Sequence, residues 1–132
     1  MPAPDAPKLL GAAAAAAKKA YAPYSKFRVG SALLANDGTV FTGCNVENAS
    51  YGLTICAERN ALFSGIAAGK KKFKAVAIVA GGRQMPYPCG ACRQVLAEFC
   101  GPDTKVYVAP IRDLKHYETT TLGKLLPKTF SL

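Results

Sequence analysis

Runs of apolar residues along the chain are separated by short breaks that contain Gly, Pro, Asn and Asp, and this pattern predicts an order of short helices and strands. Residues 5–20 are rich in Ala and Lys, and Asp5 shortly before Pro7 is typical of a helix start. Residues 74–80 (KAVAIVA) form a continuous apolar run that predicts a strand covered on both faces. The Asp-Gly pair at 37–38 indicates a hairpin turn.

The same criteria divide the rest of the chain into elements. Further helices are predicted at 55–68, 89–99 and, as a short turn, 122–126; further strands at 27–35, 40–46 and 105–109; and loops at 47–54 and 81–88. Residues 110–121 carry no clear pattern. Strands that alternate with helices after an initial hairpin predict an α/β fold in which helices cover a sheet. A length of 132 residues predicts one domain spanning 1–132.

Composition excludes several classes of protein. Half of the residues are apolar and 19% are charged, which argues against intrinsic disorder. No apolar run in the sequence approaches the roughly 20 residues of a membrane-spanning helix. The net charge of +9 suits either a well-solvated surface or a polyanionic partner, and the sequence lacks the Arg and aromatic interleaving of single-strand binders.

The apolar run at 9–17 has the length of a signal-peptide core. Six of its nine residues are Ala, however, Lys18 and Lys19 follow directly, and Asp5 lies ahead of it. We therefore interpret this segment as an ordinary helix and expect a cytoplasmic protein with no membrane partner.

The cysteines carry the first indication of chemistry. Five is an odd number, which disfavours a closed set of disulfides. Cys89 and Cys92 form a C-x-x-C pair, Cys56 lies 33 residues before Cys89, and both groups open predicted helices. Helix N-termini favour thiolate over thiol. In a reducing compartment this spacing indicates metal binding or redox chemistry.

Three thiolates would suit Zn²⁺, which prefers four ligands, and would leave the fourth position to water, as in a catalytic site. Glu58 is poorly spaced to join the ligand set with Cys56, but it could carry the proton of that water. Three thiolates make zinc a weak Lewis acid unless a cation offsets their charge, and Arg59 is a better candidate than Arg93. A C-x-x-C pair by itself is more often a structural zinc half-site or a redox pair.

The motifs Cys56-Ala57-Glu58 and 88–95 (PCGACRQV) resemble the zinc deaminases. Together with 24–27 (YSKF), 43–49 (GCNVENA), 55–59 (ICAER) and 125–127 (LLP) with Phe130, they are similar to the small, homotetrameric cytidine deaminases, from about residue 8 to the end. The resemblance implies a single mixed sheet with helices on both faces, in three layers. It also implies one zinc ion per subunit, a small nucleoside substrate, and no nucleic-acid partner.

The resemblance assigns roles to individual residues. Cys56, Cys89 and Cys92 would hold zinc, and Glu58 would be the general acid and base. The substrate would be contacted by Phe27, Asn45, Glu47, the Ala57 backbone N–H and, from a neighbouring subunit, Ala49, Tyr51 and Phe130. Arg59 and Gln94 would support the ligands. Considered without the family, Asn45 and Glu47 could merely cap a turn, and Phe130 could be a frayed tail.

Three functions follow from these residues. The first is hydrolytic deamination of cytidine and 2′-deoxycytidine to uridine and 2′-deoxyuridine in pyrimidine salvage. The second is deamination of a modified nucleoside, an antibiotic or a polynucleotide. The positive charge mildly favours a polynucleotide, but an anionic Glu47 beside the 3′ hydroxyl would repel a phosphate there. The third is a structural zinc module that binds RNA, which would have no need of Glu58.

A few residues stand outside this scheme. Tyr87 precedes Pro88 where related sequences often carry a small Ser or Thr, and this difference bears on the substrate range. His116 lies in a polar stretch and is expected in an exposed loop. Cys44 is expected to be a buried strand residue and Cys100 a helix-end residue, neither of them reactive.

Overall fold

A computed structural model of the chain describes residues 4–132, which form a five-stranded mixed sheet with helices on both sides. The helices are α1 (Ala6–Ala17), α2 (Ala57–Ala67), α3 (Gly90–Phe99) and α4 (Leu122–Leu125). The strands are β1 (Val29–Ala35), β2 (Val40–Cys44), β3 (Phe73–Ala80), β4 (Cys100–Pro110) and β5 (Glu118–Thr121). A 3₁₀ turn at Tyr51–Leu53 precedes α2.

The strand order is β2-β1-β3-β4-β5, in which only the β3–β4 pair is parallel. The register places the end of β3 beside the start of β1 and the end of β4, and the end of β2 beside Gly30 of β1. The start of β5 pairs near the same end of β4. The segments that lead to α2 and α3 therefore both begin at the same end of the strands. Ligands bind at this end of the strands in open α/β sheets.

The helices form two layers, as expected for a three-layer fold. Leu10 and Ala13 of α1 pack with Ala77 and Val79 of the sheet on one face. On the opposite face, α2, α3 and α4 pack on the sheet through one shared core, whose buried members include Leu33, Leu62, Ile78, Leu96, Val108 and Leu122. β3 is buried on both faces, as its continuous apolar sequence predicts.

The helix starts agree closely with the sequence pattern. The Asp5 carboxylate accepts a hydrogen bond from the Lys8 N–H at 3.1 Å and caps α1. Cys56 and Cys89 are the N-cap residues of α2 and α3. α1 ends at Ala17 rather than at residue 20.

The strand predictions need three corrections. β1 starts at Val29 rather than at residue 27, and β2 ends at Cys44 rather than at residue 46. The predicted strand at 105–109 is part of the longer β4, which begins directly at the end of α3. The register between β3 and β4 shifts after Phe73, so that residues 101–104 form an irregularity in β4. Within it, Thr104 Oγ1 accepts a hydrogen bond from the Gly101 N–H at 3.0 Å.

Strand β5 was not predicted and lies in the unassigned segment 110–121. Its sequence, ETTT, has no apolar residue, so no apolar pattern marks it as a strand. Because β5 is an edge strand, backbone pairing with one neighbour holds it without a buried face. Cys44 is half-buried rather than buried, whereas Cys100 does follow a helix end. His116 is exposed and contacts Asp113. Within residues 4–132 no helix has the length and apolar character needed to cross a bilayer.

Candidate active site

The two cysteine motifs meet at the N-termini of α2 and α3. The Cys56 and Cys89 sulfur atoms lie 4.0 Å apart, and those of Cys56, Cys89 and Cys92 all lie within 4.8 Å of one another. Cys92 is fully buried, Cys56 is half-buried and Cys89 is exposed. The 33-residue separation in sequence is therefore closed by the packing of the two helices, as the sequence analysis predicts.

The environment of the cluster favours a thiolate at Cys56. Contact with the Cys92 sulfur, and next a hydrogen bond from Arg59, lower the pKa of Cys56 to about 5. The same sulfur contact, together with burial, raises the pKa of Cys92. The guanidinium beside Cys56 thus favours a thiolate there, whereas burial opposes ionisation of Cys92.

Glu58 lies in the first turn of α2 and is 4% exposed. Burial is the main cause that raises the pKa of its carboxyl to about 7, against the opposing effect of its own backbone N–H. A carboxyl with a pKa near neutrality can both accept and release a proton at physiological pH. The carboxyl predicted as proton carrier thus lies buried in the first turn of α2, two residues from Cys56.

The two arginines have different surroundings. Arg59 Nη2 donates to Cys56 Sγ at 3.4 Å, as proposed for the residue that offsets thiolate charge. Arg93 does not take that role, because its Nε donates to the Pro88 carbonyl at 2.7 Å and its Nη1 to the Leu125 carbonyl at 2.9 Å. It connects the C-x-x-C loop to the C-terminal segment.

A pocket of about 220 Å³ opens beside the cluster. It brings together four of the eight predicted catalytic and substrate-binding residues, Phe27, Asn45, Ala57 and Glu58. Its lining comprises Phe27, Val29, Asn45, Thr54, Cys56, Ala57, Glu58, Ile78, Pro86, Tyr87 and Cys89. A planar heterocycle that entered this pocket would meet thiols, a carboxyl and a carboxamide among its walls.

Asn45 supports the pocket wall from behind. Its Oδ1 accepts from the Val29 N–H at 2.9 Å, and its Nδ2 donates to the Phe27 carbonyl at 2.8 Å. The side chain is 8% exposed. It therefore holds the segment that carries Phe27, and the second N–H of its amide is the group left to meet a ligand.

Glu47 lies in an adjoining recess of about 400 Å³ that shares Thr54 with the pocket. Its carboxylate accepts hydrogen bonds from the backbone N–H groups of Tyr24 and Ser25 and from the Ser25 hydroxyl. The Ser25 hydroxyl contributes most to lowering the pKa of this carboxyl. The glutamate is thus ionised and holds the turn at 24–25.

The remaining predicted contacts lie away from the pocket within this chain. Ala49 and Tyr51 are exposed, and Tyr51 borders the adjoining recess. Phe130 is 70% exposed near the C-terminus, and its carbonyl accepts from Gln94 Nε2 at 3.4 Å. Ala49, Tyr51 and Phe130, which were predicted to reach the site of a neighbouring subunit, line no part of this pocket, and neither does Gln94, which was predicted to support the ligands.

Four lining residues were not anticipated: Val29, Thr54, Ile78 and Pro86. Ile78 belongs to a strand that the pattern assigned entirely to the core, and Val29 is the first residue of β1. Thr54 lies two residues before Cys56, and its hydroxyl accepts from the Asn48 N–H at 3.2 Å. Only the position of Thr54 beside the I-C-A-E-R motif could have identified it.

The three sulfur atoms fit a zinc ion. Tetrahedral ligands at about 2.3 Å from zinc lie roughly 3.8 Å from each other, close to the 4.0 Å between Cys56 and Cys89. Thiolate donors select zinc over hard cations, and Arg59 compensates their charge. A mixed sheet covered on both faces, with three thiols and a buried carboxyl at two helix starts, defines the zinc-dependent deaminase class.

The comparisons with known proteins agree. Residues 5–109 match the model of the cytidine and deoxycytidylate deaminase zinc-binding region. The chain is 50% identical over 127 residues to the cytidine deaminase of Sporosarcina psychrophila, covering 96% of this chain and 92% of the relative. It is 46% identical over 132 residues to that of Mycobacterium tuberculosis, covering 100% and 94%.

A solved structure of cytidine deaminase from Burkholderia pseudomallei superposes with a TM-score of 0.88 at 52% identity, covering 93% of this chain and 97% of that one. The chain belongs to the cytidine and deoxycytidylate deaminase family and is a zinc-dependent enzyme.

Proposed function

We propose that this protein hydrolyses cytidine and 2′-deoxycytidine to uridine and 2′-deoxyuridine with release of ammonia, in pyrimidine salvage. The observation that carries the proposal is the buried Glu58 carboxyl beside the three-cysteine cluster, at one end of a pocket of nucleobase size. The relatives that match nearly the whole chain are named cytidine deaminases. The proposal treats residues 1–132 as one deaminase domain in the cytoplasm, where the free thiols of all five cysteines stay reduced.

In this proposal Cys56, Cys89 and Cys92 hold the zinc ion. Zinc, when bound, acts as a Lewis acid that makes a water molecule ionise near neutral pH. The guanidinium of Arg59, in contact with the Cys56 sulfur, keeps the net charge of the ligand set low.

Glu58 moves the protons of the reaction. Its carboxylate takes a proton from the attacking water and delivers it to N3 of the pyrimidine, so that no negative charge accumulates on the ring as C4 is attacked. It then helps transfer a proton to the exocyclic amino nitrogen, which leaves as ammonia. A pKa near 7 suits a group that must change protonation state at each of these steps.

The other residues orient the nucleoside. The Ala57 N–H, in the first turn of α2, is proposed to hold the pyrimidine carbonyl oxygen. Phe27 packs near the sugar and base, and Asn45 binds the ribose with its remaining N–H. Glu47 is proposed to bind the 3′ side of the ribose, which requires it to share the carboxylate that now holds Ser25.

The first test is the ultraviolet absorbance of cytidine with zinc-loaded protein and a Glu58→Ala control. Conversion to uridine by the wild type, with a loss of about 10³-fold or more in kcat for the variant, supports the proposal. Stoichiometric zinc without conversion would contradict it and direct attention to a modified nucleoside or a polynucleotide. Retained RNA binding by Glu58→Ala, with no turnover by either protein, would indicate a structural zinc module.

We further propose a homotetramer with active sites shared between subunits. Supporting it, Tyr51, Leu53 and Phe130 leave 76%, 65% and 70% of their surface exposed. A pocket of about 220 Å³ is also small beside the roughly 300–1,000 Å³ typical of ligand sites. A second subunit would cover the apolar side chains and complete the pocket.

Light scattering tests the assembly, and subunit mixing tests the sharing. Glu58→Gln and Phe130→Ala each damage a different contributor to a shared site. If subunits exchange, roughly a quarter of the sites in a randomly assorted mixture regain both residues, and activity rises above that of either variant. Activity equal to the average of the two pure variants would contradict shared sites.

A further inference from the structure

Tyr87 occupies a wall of the pocket that the proposed reaction does not use. Its side chain lines the pocket with Pro86 and Cys89 and remains 40% exposed. Its hydroxyl donates a hydrogen bond to the Glu118 carboxylate, the first residue of β5. Its backbone N–H donates to the Met85 carbonyl at 3.0 Å, so that main chain and side chain are both held.

The contact places Tyr87 opposite the sugar-binding end. Asn45 directly follows β2 at one edge of the sheet, and Glu118 opens β5 at the other. Four strand spacings of about 4.8 Å separate these two strands. Tyr87 also lies two residues from Cys89, and two residues of chain span at most about 7 Å. The Tyr87 main chain therefore lies close to the thiols, and its side chain extends from there to Glu118 along the pocket wall.

The chemistry of the substrate decides what meets this wall. In cytidine the ring nitrogen N1, which carries the sugar, and the carbon C4 lie across the pyrimidine ring from each other. With the sugar at Asn45 and C4 beside Glu58, as proposed above, the exocyclic amino group would point away from the sugar toward the thiols, where Cys89 and Tyr87 also line the pocket. A substituent on that nitrogen would extend toward the Tyr87 ring.

We propose that Tyr87, held in place by Glu118, is a specificity-determining residue that excludes cytidines alkylated on the exocyclic amino nitrogen. The inference rests on the proposed function. A phenol tied to a strand cannot swing aside as a free side chain could, and a small residue at this position would leave room for an alkyl group. The edge strand β5 does not line the pocket, but through Glu118 it fixes the position of a side chain that does.

The test compares cytidine with N4-methylcytidine, which water would convert to uridine and methylamine. For Tyr87→Ser the ratio of kcat/KM for N4-methylcytidine to that for cytidine rises about tenfold or more, the scale of one methyl group against a packed wall. Tyr87→Phe and Glu118→Ala each raise the ratio about threefold, the value of one hydrogen bond. The double variant Tyr87→Phe/Glu118→Ala gives a ratio no higher than that of either single variant, because both remove the same hydrogen bond. Glu118→Gln keeps an acceptor, and its ratio stays near that of the wild type.

Two controls separate this effect from a general disturbance. The 2′-deoxycytidine to cytidine ratio is unchanged in every variant, because the sugar lies at the other end. Tyr117→Phe, which alters a phenol adjacent to Glu118 that packs on Tyr107, leaves both ratios unchanged. Zinc content and circular dichroism verify that each variant is folded and loaded.

An unchanged N4-methylcytidine ratio in folded Tyr87→Ser overturns the inference while leaving the proposed function intact. If Tyr87→Ser does not fold, unchanged ratios in Tyr87→Phe and Glu118→Ala overturn it in the same way. Wild-type protein that carries zinc and does not deaminate cytidine overturns the proposed function, and the inference with it.

Discussion

Arg59 illustrates how much of this site depends on single side chains. Nη2 of its guanidinium contacts the Cys56 sulfur, while its buried Nε has no hydrogen-bond partner among residues 4–132. Contact with Cys56 also raises the pKa of the guanidinium, which stays charged under all conditions of interest. Burying a guanidinium N–H without a hydrogen-bond partner costs free energy. The attraction between this cation and the anionic cluster beside it offsets that cost.

Replacing Arg59 by Ala is expected to weaken zinc binding by about 10- to 100-fold, because the charge of the thiolates is no longer offset. Arg59→Lys is expected to retain only part of the zinc affinity, since an ammonium lacks the planar fork of donors. Competition with a chromophoric chelator measures the affinity. Unchanged zinc affinity together with unchanged turnover in Arg59→Ala would refute this role.

Asn45 is expected to matter for stability independently of any substrate. Asn45→Asp keeps the acceptor for the Val29 N–H but places a carboxylate oxygen against the Phe27 carbonyl. We expect a loss of about 1–3 kcal/mol in the free energy of unfolding, measured by urea denaturation at neutral pH. The exposed Asn36→Asp serves as the matched control. A side chain that served ribose alone would leave the stability of the free protein unchanged.

At the scale of elements, the site depends on how closely α2 approaches β2. The Asn60 carboxamide donates to the Cys44 carbonyl at 2.8 Å and ties the helix to the end of that strand. A Cβ at Gly43 would lie 2.3 Å from the Ala61 nitrogen and 2.8 Å from the Ala57 oxygen. The glycine lets the helix backbone lie against the strand, and this contact sets the position of the Cys56–Glu58 turn.

Gly43→Ala is therefore expected to move α2 outward, to destabilise the fold by about 1–3 kcal/mol and to lower zinc affinity. Gly11→Ala is the matched control, because its Cβ meets nothing within 4 Å and Ala stabilises an exposed helix position by about 1 kcal/mol. Chemical denaturation of both variants measures the contrast. Equal stabilities for the two would show that the close approach is unimportant.

At the scale of the whole molecule, one ion would link two helices that are distant in sequence. The cluster joins the start of α2 to the start of α3, and these helices share the core on one face of the sheet. A ligand that binds only the folded state stabilises it in proportion to the logarithm of its concentration. Zinc is thus expected to act on the stability of the entire chain as well as on catalysis.

Removal of zinc by a chelator is expected to abolish turnover and to lower the melting temperature. With free zinc at a thousand times its dissociation constant, the loss is about 4 kcal/mol, which corresponds to a shift on the order of 10 °C. Differential scanning calorimetry measures the shift. Zinc restores both properties and Mg²⁺ restores neither, because thiolates select the softer ion. A melting temperature independent of zinc would contradict the assignment of the three cysteines.

Much of the fold was predictable because its signals are local. Asp5 caps α1, the pair at 37–38 turns the chain between β1 and β2, and Gly69 beyond α2 has the positive φ of 91° that ends a helix. β5 was not predictable, because a polar strand at the sheet edge is defined by its pairing with β4 and not by its own residues. The contacts of Arg93 with Leu125 and of Cys44 with Asn60 likewise join residues of different elements.

The sequence by itself determined the four helices, the strands other than β5, the thiols at two helix starts and the carboxyl beside them, because caps, turns and apolar runs act over a few residues. Only the tertiary structure decided that the three sulfur atoms meet, that Asn45 and Glu47 hold the chain around Phe27, and that Tyr87 is tied to Glu118. Apart from the Cys89–Cys92 pair, these contacts join residues 16 to 36 positions apart. Their free energy depends on the packing of the sheet and its two helical layers, which no local pattern encodes.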